Sequence, residues 1–246
     1  LYPQTHVYFA ERVLGKTSDE ITLGSIFPDL IISNTLDHTT AHHSGQKIFN
    51  LLKNHPNLIE FAKAVITHGI EPHGLDYYGD EKYFDFERGY CFEKGKAIID
   101  ETIAACNIPT RMGWWKSHNI IEMGIELLVN DIKPCGSLIR QAFNNRKLIG
   151  TLDKHLMHFH CTGPINLVQK TAFFADYIEI DNITEETLAA KYEFQMITKH
   201  NILINRKQVA CLIEKAAKSV TEDLDEFFDY TAEKVKENLF AVTDRY

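Results

Sequence analysis

The sequence predicts an all-α protein, a multi-helix bundle, and three observations carry that reading. Apolar residues recur at helical spacing almost throughout, no segment shows the strict alternation of a half-buried strand, and glycine and proline positions divide the pattern into lengths ordinary for helices. With 246 residues, 44% of them hydrophobic, the chain supplies a sizeable buried core.

Taken in order, Val7, Ala10 and Val13 mark one face of a first helix that also carries His6. The segment Gly24-Ser25-Ile26-Phe27-Pro28-Asp29 reads as a stiff apolar turn, after which a helix is entered at Leu30. Leu58, Phe61, Ala62, Val65 and Ile66 predict a helix ending at His68, followed by a loop over Pro72 to Gly79. Ile98, Ile99 and Ile103 give a further helical face, and Ile121, Ile125 and Leu128 lie in a helix that begins near Trp114 and Trp115. Additional breaks at His55-Pro56, Ile108-Pro109, Lys133 to Gly136 and Gly163-Pro164 leave about eight to ten helices. From about residue 145 onward the pattern stays helical with charge on its open faces, as in Thr184-Glu185-Glu186 and the long run from Arg206 to Leu239.

Charge and composition exclude several roles. A formal net charge of -8 and a pI near 5.8 argue against an electrostatic grip on nucleic acid or on an anionic membrane, both of which need a basic face. No run of about 18 apolar residues appears, so no transmembrane segment is expected. The start, Leu1-Tyr2-Pro3-Gln4-Thr5-His6, lacks the regions of a secretory signal, and the expected location is cytoplasmic. Cys91, Cys106, Cys135, Cys161 and Cys211 are odd in number, widely spread and without a CxxC pair, which indicates reduced thiols rather than a disulfide framework or a thiolate zinc site.

Histidine is the unusual component. Of 12 histidines, seven precede residue 75 (His6, His38, His42, His43, His55, His68 and His73), interspersed with carboxylates in short segments punctuated by glycine and proline. His118-Asn119-Ile120-Ile121-Glu122 stacks imidazole and carboxylate one turn apart on a helix face, where one metal bridges them or, in the plainer reading, they form a surface pair. His68 closes an apolar helix and feeds a loop bearing Glu71, His73, Asp76 and Asp80; a helix end fixes one imidazole while the loop brings carboxylates to the same ion. The alternatives are a hydrogen-bonded core histidine and polar turn residues. Asp29 is followed closely by Asp37, His38, His42 and His43; it serves either as a buried carboxylate paired with a cation or as a helix cap. His155, His158 and His160 beside Cys161 offer a separate metal site or, in the plainer reading that is preferred, are surface residues of an amphipathic helix.

The order Thr5-His6, then Gly24-Ser25-Ile26-Phe27-Pro28-Asp29, then His42 before Phe49, then His68 with Asp76, then His118-Asn119-Ile120-Ile121-Glu122 resembles the zinc-dependent phospholipase C family. That family shares its all-helical fold with the single-strand-specific fungal nucleases. The resemblance spans residues 5–126, and it implies metal ligands at His6, Asp29, His42, His68, Asp76, His118 and Glu122. It further implies two or three divalent ions, zinc above all, and a phospholipase C-like attack of activated water on a small-molecule or lipid phosphoester. The family's HxxxD is replaced here by His68-Gly69-Ile70-Glu71-Pro72, which puts the bridging role on Asp76 or Glu71, and the choice between His42 and His43 is close.

On this reading residues 1–145 form the metal-binding helical core and residues 146–246 a helical extension, with no linker or low-complexity segment between them. Asp76 and Glu71 are the expected catalytic carboxylates, one bridging metals and the other orienting water as general base. Tyr77, Tyr78, Tyr90 and Trp115 are candidates to line the pocket or, singly, core aromatics. A protein that binds metal for structure or sensing, every coordination position closed by side chains, is the alternative from a different class. A haem or di-iron bundle is disfavoured by the missing paired Glu-x-x-His motifs.

Overall fold

Pro3 in the first turn sets the entry of helix α1 (Pro3–Leu14), where its missing N–H would have had no helical partner. Ser18 accepts from the Ile21 amide and caps α2 (Asp19–Ile31), with Asp19 and Glu20 in the positive first turn. The computed structural model describes residues 1–157, 159 and 165–243.

Helix α2 corrects the expectation of a turn over Gly24 to Asp29, because it runs straight through Gly24 and Pro28. The reason is tertiary. A Cβ on Gly24 would lie 2.4 Å from the Phe61 carbonyl oxygen, so glycine lets this helix press against its neighbour rather than ending it. Asp29 consequently sits in the last turn of α2 and caps nothing.

Two short helices follow, α3 (His38–His42), capped by Asp37 through the Thr40 amide, and α4 (Gly45–Leu52). The apolar helix α5 (Ile59–His68) ends at His68 as its periodicity predicts, burying Phe61, Ala62, Val65 and Ile66 against α2. A loop then leads into a single π-helical turn at Tyr77–Glu81. Helices α6 (Tyr90–Gly95), α7 (Ile99–Cys106) and α8 (Gly113–Ile132) complete the half that carries the histidines.

Beyond α8 lie α9 (Gly136–Asn144), α10 (Arg146–His155), α11 (Leu167–Tyr177) and α12 (Glu185–His200). Thr184 and Thr187 form a reciprocal capping box that starts α12. The run from Arg206 to Leu239 is two helices rather than one, α13 (Arg206–Val220) and α14 (Leu224–Thr243), parted by a turn over 221–223. Fourteen α-helices among the described residues exceed the eight to ten expected, since pieces as short as the five residues of α3 leave no periodic signature.

The packing centres on two pairs, α2 on α5 and α8 on α13, with α1 lying against α2, α5 and α8. Phe9, Phe27, Phe61, Phe227 and Phe228 are fully buried in one hydrophobic cluster. That cluster takes side chains from both sides of residue 145: Phe228 of α14 tilts against Phe9 of α1 at 6.1 Å, and Phe227 stacks on Tyr90 at 4.3 Å. Cys91, Cys106 and Cys135 are buried free thiols and Cys211 is an exposed one, while His158, His160, Cys161 and the Gly163-Pro164 break lie outside the described residues. No helix among the described residues is long and apolar enough to cross a membrane.

Candidate metal centre

Five helices and one turn converge where α1 crosses α5 and α8. His6 comes from α1, Asp29 from the end of α2, His42 from the end of α3, His68 from the end of α5, Asp76 from the start of the π-helical turn, and His118 with Glu122 from α8. Their ligand atoms fall into three groups, each spanning no more than 4.8 Å: His6, His68 and Asp76; Asp29, His42 and His68; and Asp80, His118 and Glu122.

The first two groups share His68, and the Asp76 carboxylate of the first also lies against His42 of the second. Asp76 Oδ2 lies 3.2 Å from His42 Nε2 and 3.1 Å from His68 Nε2, while Oδ1 lies 3.3 Å from His6 Nε2. The Leu1 nitrogen is 2.9 Å from Asp76 Oδ1 and 3.2 Å from Glu122 Oε1, which links these groups to the third. His42 Nε2 is also 3.4 Å from Asp29 Oδ1.

Backbone carbonyls fix how the imidazoles point. His42 Nδ1 donates to the His38 carbonyl at 2.9 Å, and His68 Nδ1 donates to the Ser25 carbonyl at 2.6 Å. A carbonyl only accepts, so in both rings Nδ1 carries a proton and Nε2 is the atom turned inward. His6 stacks on His68 with centroids 3.6 Å apart. His118 stacks on Phe92 at 4.0 Å, which holds its ring on the inner face of α8.

Asn119 Nδ2 donates to Glu122 Oε2 at 3.1 Å, leaving Oε1 turned toward the group. Two close approaches seat these elements. A Cβ on Gly69 would stand 2.5 Å from the His42 carbonyl oxygen, which instead accepts the Ile70 amide at 2.8 Å and fastens α3 beside the end of α5. On the other side Glu126, one turn beyond Glu122, accepts from the Gln4 amide at 2.9 Å, the Thr5 amide at 2.8 Å and the Thr5 hydroxyl at 2.6 Å. A fully buried carboxylate thus caps α1 from α8 and sets the position of His6.

Electrostatics follow from burial and crowding. Burial would raise Asp76, but the Leu1 nitrogen, His6, His68 and His42 hold it well below the usual carboxylate range. Burial alone would depress His42, yet hydrogen bonds to Asp29 and Asp76 overcome it and lift its pKa to about 10. Burial, reinforced by His68, pushes His6 well down, and burial takes His118 to about 4, so both rings are neutral at neutral pH. Burial and the Glu122 carboxylate push Asp80 well up. Both His6 nitrogens, His118 Nδ1 and Asp80 Oδ1 are buried without a hydrogen-bond partner. Buried polar atoms are rarely left so. Neutral imidazoles and carboxylates turned on common points form a donor set that fits divalent cations.

All seven residues expected as ligands belong to these groups, and the pair left open by sequence separates clearly. His42 is buried with Nε2 inward, whereas His43 is exposed with Nδ1 on the Thr39 carbonyl. Asp76, not Glu71, occupies the shared position: Glu71 is exposed and gives no atom to any group. His73 is exposed and stacks on Tyr77. Of the pocket aromatics, Tyr90 is a core residue whose hydroxyl donates to Asp223, Tyr78 packs on Tyr230, and half-exposed Trp115 carries the Lys116 ammonium on its face. Asp80 was not among the expected ligands; its spacing of four from Asp76, one helical turn, is the signal that marks it. No protein-family model matches the chain, and no curated protein or solved structure matches it either.

Proposed function

We propose that the protein is a metal-dependent hydrolase of phosphoesters, similar in its donor set to the zinc-dependent phospholipases C, with two or three zinc-like ions. The observation that carries this reading is Asp76, whose two oxygens face two different histidine groups. A carboxylate so placed would help hold two divalent ions, which when bound would supply Lewis-acid activation of water and charge stabilisation for a phosphoester.

The chain's own residues have separable tasks in this scheme. His42 and His68, locked by backbone carbonyls, would hold one ion with Asp29, and His6 would help to hold its neighbour. Asp29 is the member of these first two groups most open to solvent, 19% exposed against 4% or less for His6, His42, His68 and Asp76, which makes it this scheme's candidate to orient an incoming water as general base. Glu71, expected as the general base, is exposed and gives no atom to these groups, and this scheme assigns it no role.

The test is metal analysis of purified protein combined with a screen of generic phosphomonoesters and phosphodiesters. About two or more divalent ions per chain and turnover that Asp76→Asn removes are the expected results. The near-complete burial of the histidines favours a second reading, a closed centre serving structure or sensing. Metal-loaded protein without turnover on any phosphoester, its ions enclosed by side chains in anomalous diffraction, would establish that reading instead.

A further inference from the structure

The groups differ in the kind of donor they offer. Around Asp76 the donors are rich in nitrogen: His42 and His68 with Asp29, and His6 beside them. The third group sets one imidazole, His118, against two carboxylates, Asp80 and Glu122. Imidazole suits zinc, carboxylate oxygen suits manganese and magnesium, and the donor type rather than raw affinity distinguishes such ions.

We infer that the Asp80–His118–Glu122 group is a hard-ion site, taking a manganese-like divalent cation where the histidine-rich group takes zinc, so that the centre holds two different metals. The inference rests on the proposed reading of these groups as metal sites and adds which ion each prefers. His118, only 5% exposed, has an Nδ1 atom with no partner, and Asp80 Oδ1 is buried and unpartnered beside it.

The surroundings hold this donor set firmly. The Asp80 carbonyl accepts both the Gly89 amide at 3.1 Å and the Arg88 guanidinium at 3.0 Å, which anchors its backbone in the turn. Arg88 lies over Phe92 at 4.2 Å, and Phe92 in turn stacks on His118. Zinc outranks manganese in absolute affinity at almost any such site, so what the extra oxygen donor changes is the margin between them. That margin is narrow at the Asp80 group and wide at the His42–His68 group.

Metal-stripped protein is loaded with about two equivalents of Zn²⁺, enough for both ions of the histidine-rich groups, and titrated with Mn²⁺, the free ion being followed by its electron paramagnetic resonance signal. Uptake of about one Mn²⁺ per zinc-loaded chain is expected, with manganese-edge anomalous scattering centred between Asp80, His118 and Glu122. Asp80→His, checked for folding by circular dichroism, is expected to weaken Mn²⁺ binding at least about tenfold while zinc uptake at the same group strengthens. Zinc-loaded wild type that takes up no Mn²⁺, or takes up a third Zn²⁺ with the same preference over Mn²⁺ as the first two, overturns the inference and leaves the hydrolase reading standing. Unchanged Mn²⁺ affinity in folded Asp80→His does the same. Protein that binds neither ion overturns both.

Discussion

The Nε2 atoms of His42 and His68 face one another across 3.1 Å, and each ring has committed its Nδ1 proton to a backbone carbonyl. Two lone pairs at that distance, with carboxylates of Asp29 and Asp76 beside them, need a cation between them. In metal-free protein that cation is a proton on His42.

Metal binding should therefore expel a proton. Burial opposes a charged His42, but Asp29 and Asp76 raise its folded pKa to about 10. A raised pKa contributes stability that is fully present below the ordinary histidine value of about 6.5 and is lost as pH rises through the folded value. Metal-free protein is accordingly expected to lose stability between about pH 6.5 and 10 as His42 gives up its proton. Near pH 8 an ion entering this group should release about one proton from His42. Calorimetric titration in buffers of different ionisation enthalpy measures that release; a binding heat independent of buffer would remove the His42 assignment.

Ion removal should also cost stability. Saturation at about 100 times the dissociation constant contributes about 2.7 kcal/mol, which for a chain of this length corresponds to a melting temperature about 5–10 °C higher than in chelator. Identical melting curves before and after verified metal removal would count against ligation by these residues.

Two carboxylates near the centre should respond in opposite ways. Asp29→Asn is expected to reduce turnover of an active phosphoester by about two orders of magnitude, with the fold retained, whereas Glu71→Gln should leave it unchanged. A large loss of activity in Glu71→Gln with intact metal content would return the base role to Glu71.

Glu126 should act at a distance through α1. Glu126→Gln keeps the shape but replaces one acceptor oxygen by an NH2 group, so at least one of the Gln4 and Thr5 amides loses its partner, at about 1–3 kcal/mol in stability, and lowers ion affinity at His6 by about 10–100-fold. Glu126→Leu, which leaves the amides of Gln4 and Thr5 unpaired, should cost about 3 kcal/mol or more. The spectrum of the cobalt-substituted protein is the informative readout, because loss of stability alone would not shift its ligand-field bands.

Gly24 and Gly150 make a matched pair. A methyl group at Gly24 meets the Phe61 backbone, whereas at Gly150, within α10, it meets nothing within 4 Å. Gly24→Ala is expected to cost about 1–3 kcal/mol, and Gly150→Ala to gain about 0.5–1 kcal/mol. Denaturant unfolding of the two variants measures both.

What the sequence makes legible is what local spacing encodes. The His118–Glu122 pair and the end of α5 at His68 follow from periodicity, and both stand where that periodicity puts them. Gly24 misleads because its purpose, the approach to Phe61, lies 37 residues away and has no local mark. His42 and His43 are equivalent by composition and differ only in which way a five-residue helix turns them. Glu126 carries no motif, since capping a helix 121 residues upstream in the chain is a purely tertiary relation. Glu71 is adjacent to the right segment and still faces outward, because the turn closed by the Gly74 amide on the Gly69 carbonyl carries it away.

The donors also have an order along the chain. Asp29, His42, His68 and Asp76 are complete within 48 residues, and Asp80, His118 and Glu122 begin only afterwards, so the two sets do not interleave. Every member of the histidine-rich set is therefore synthesised before His118 and Glu122, so no donor of the third group has to be in place for the first two to be complete in sequence.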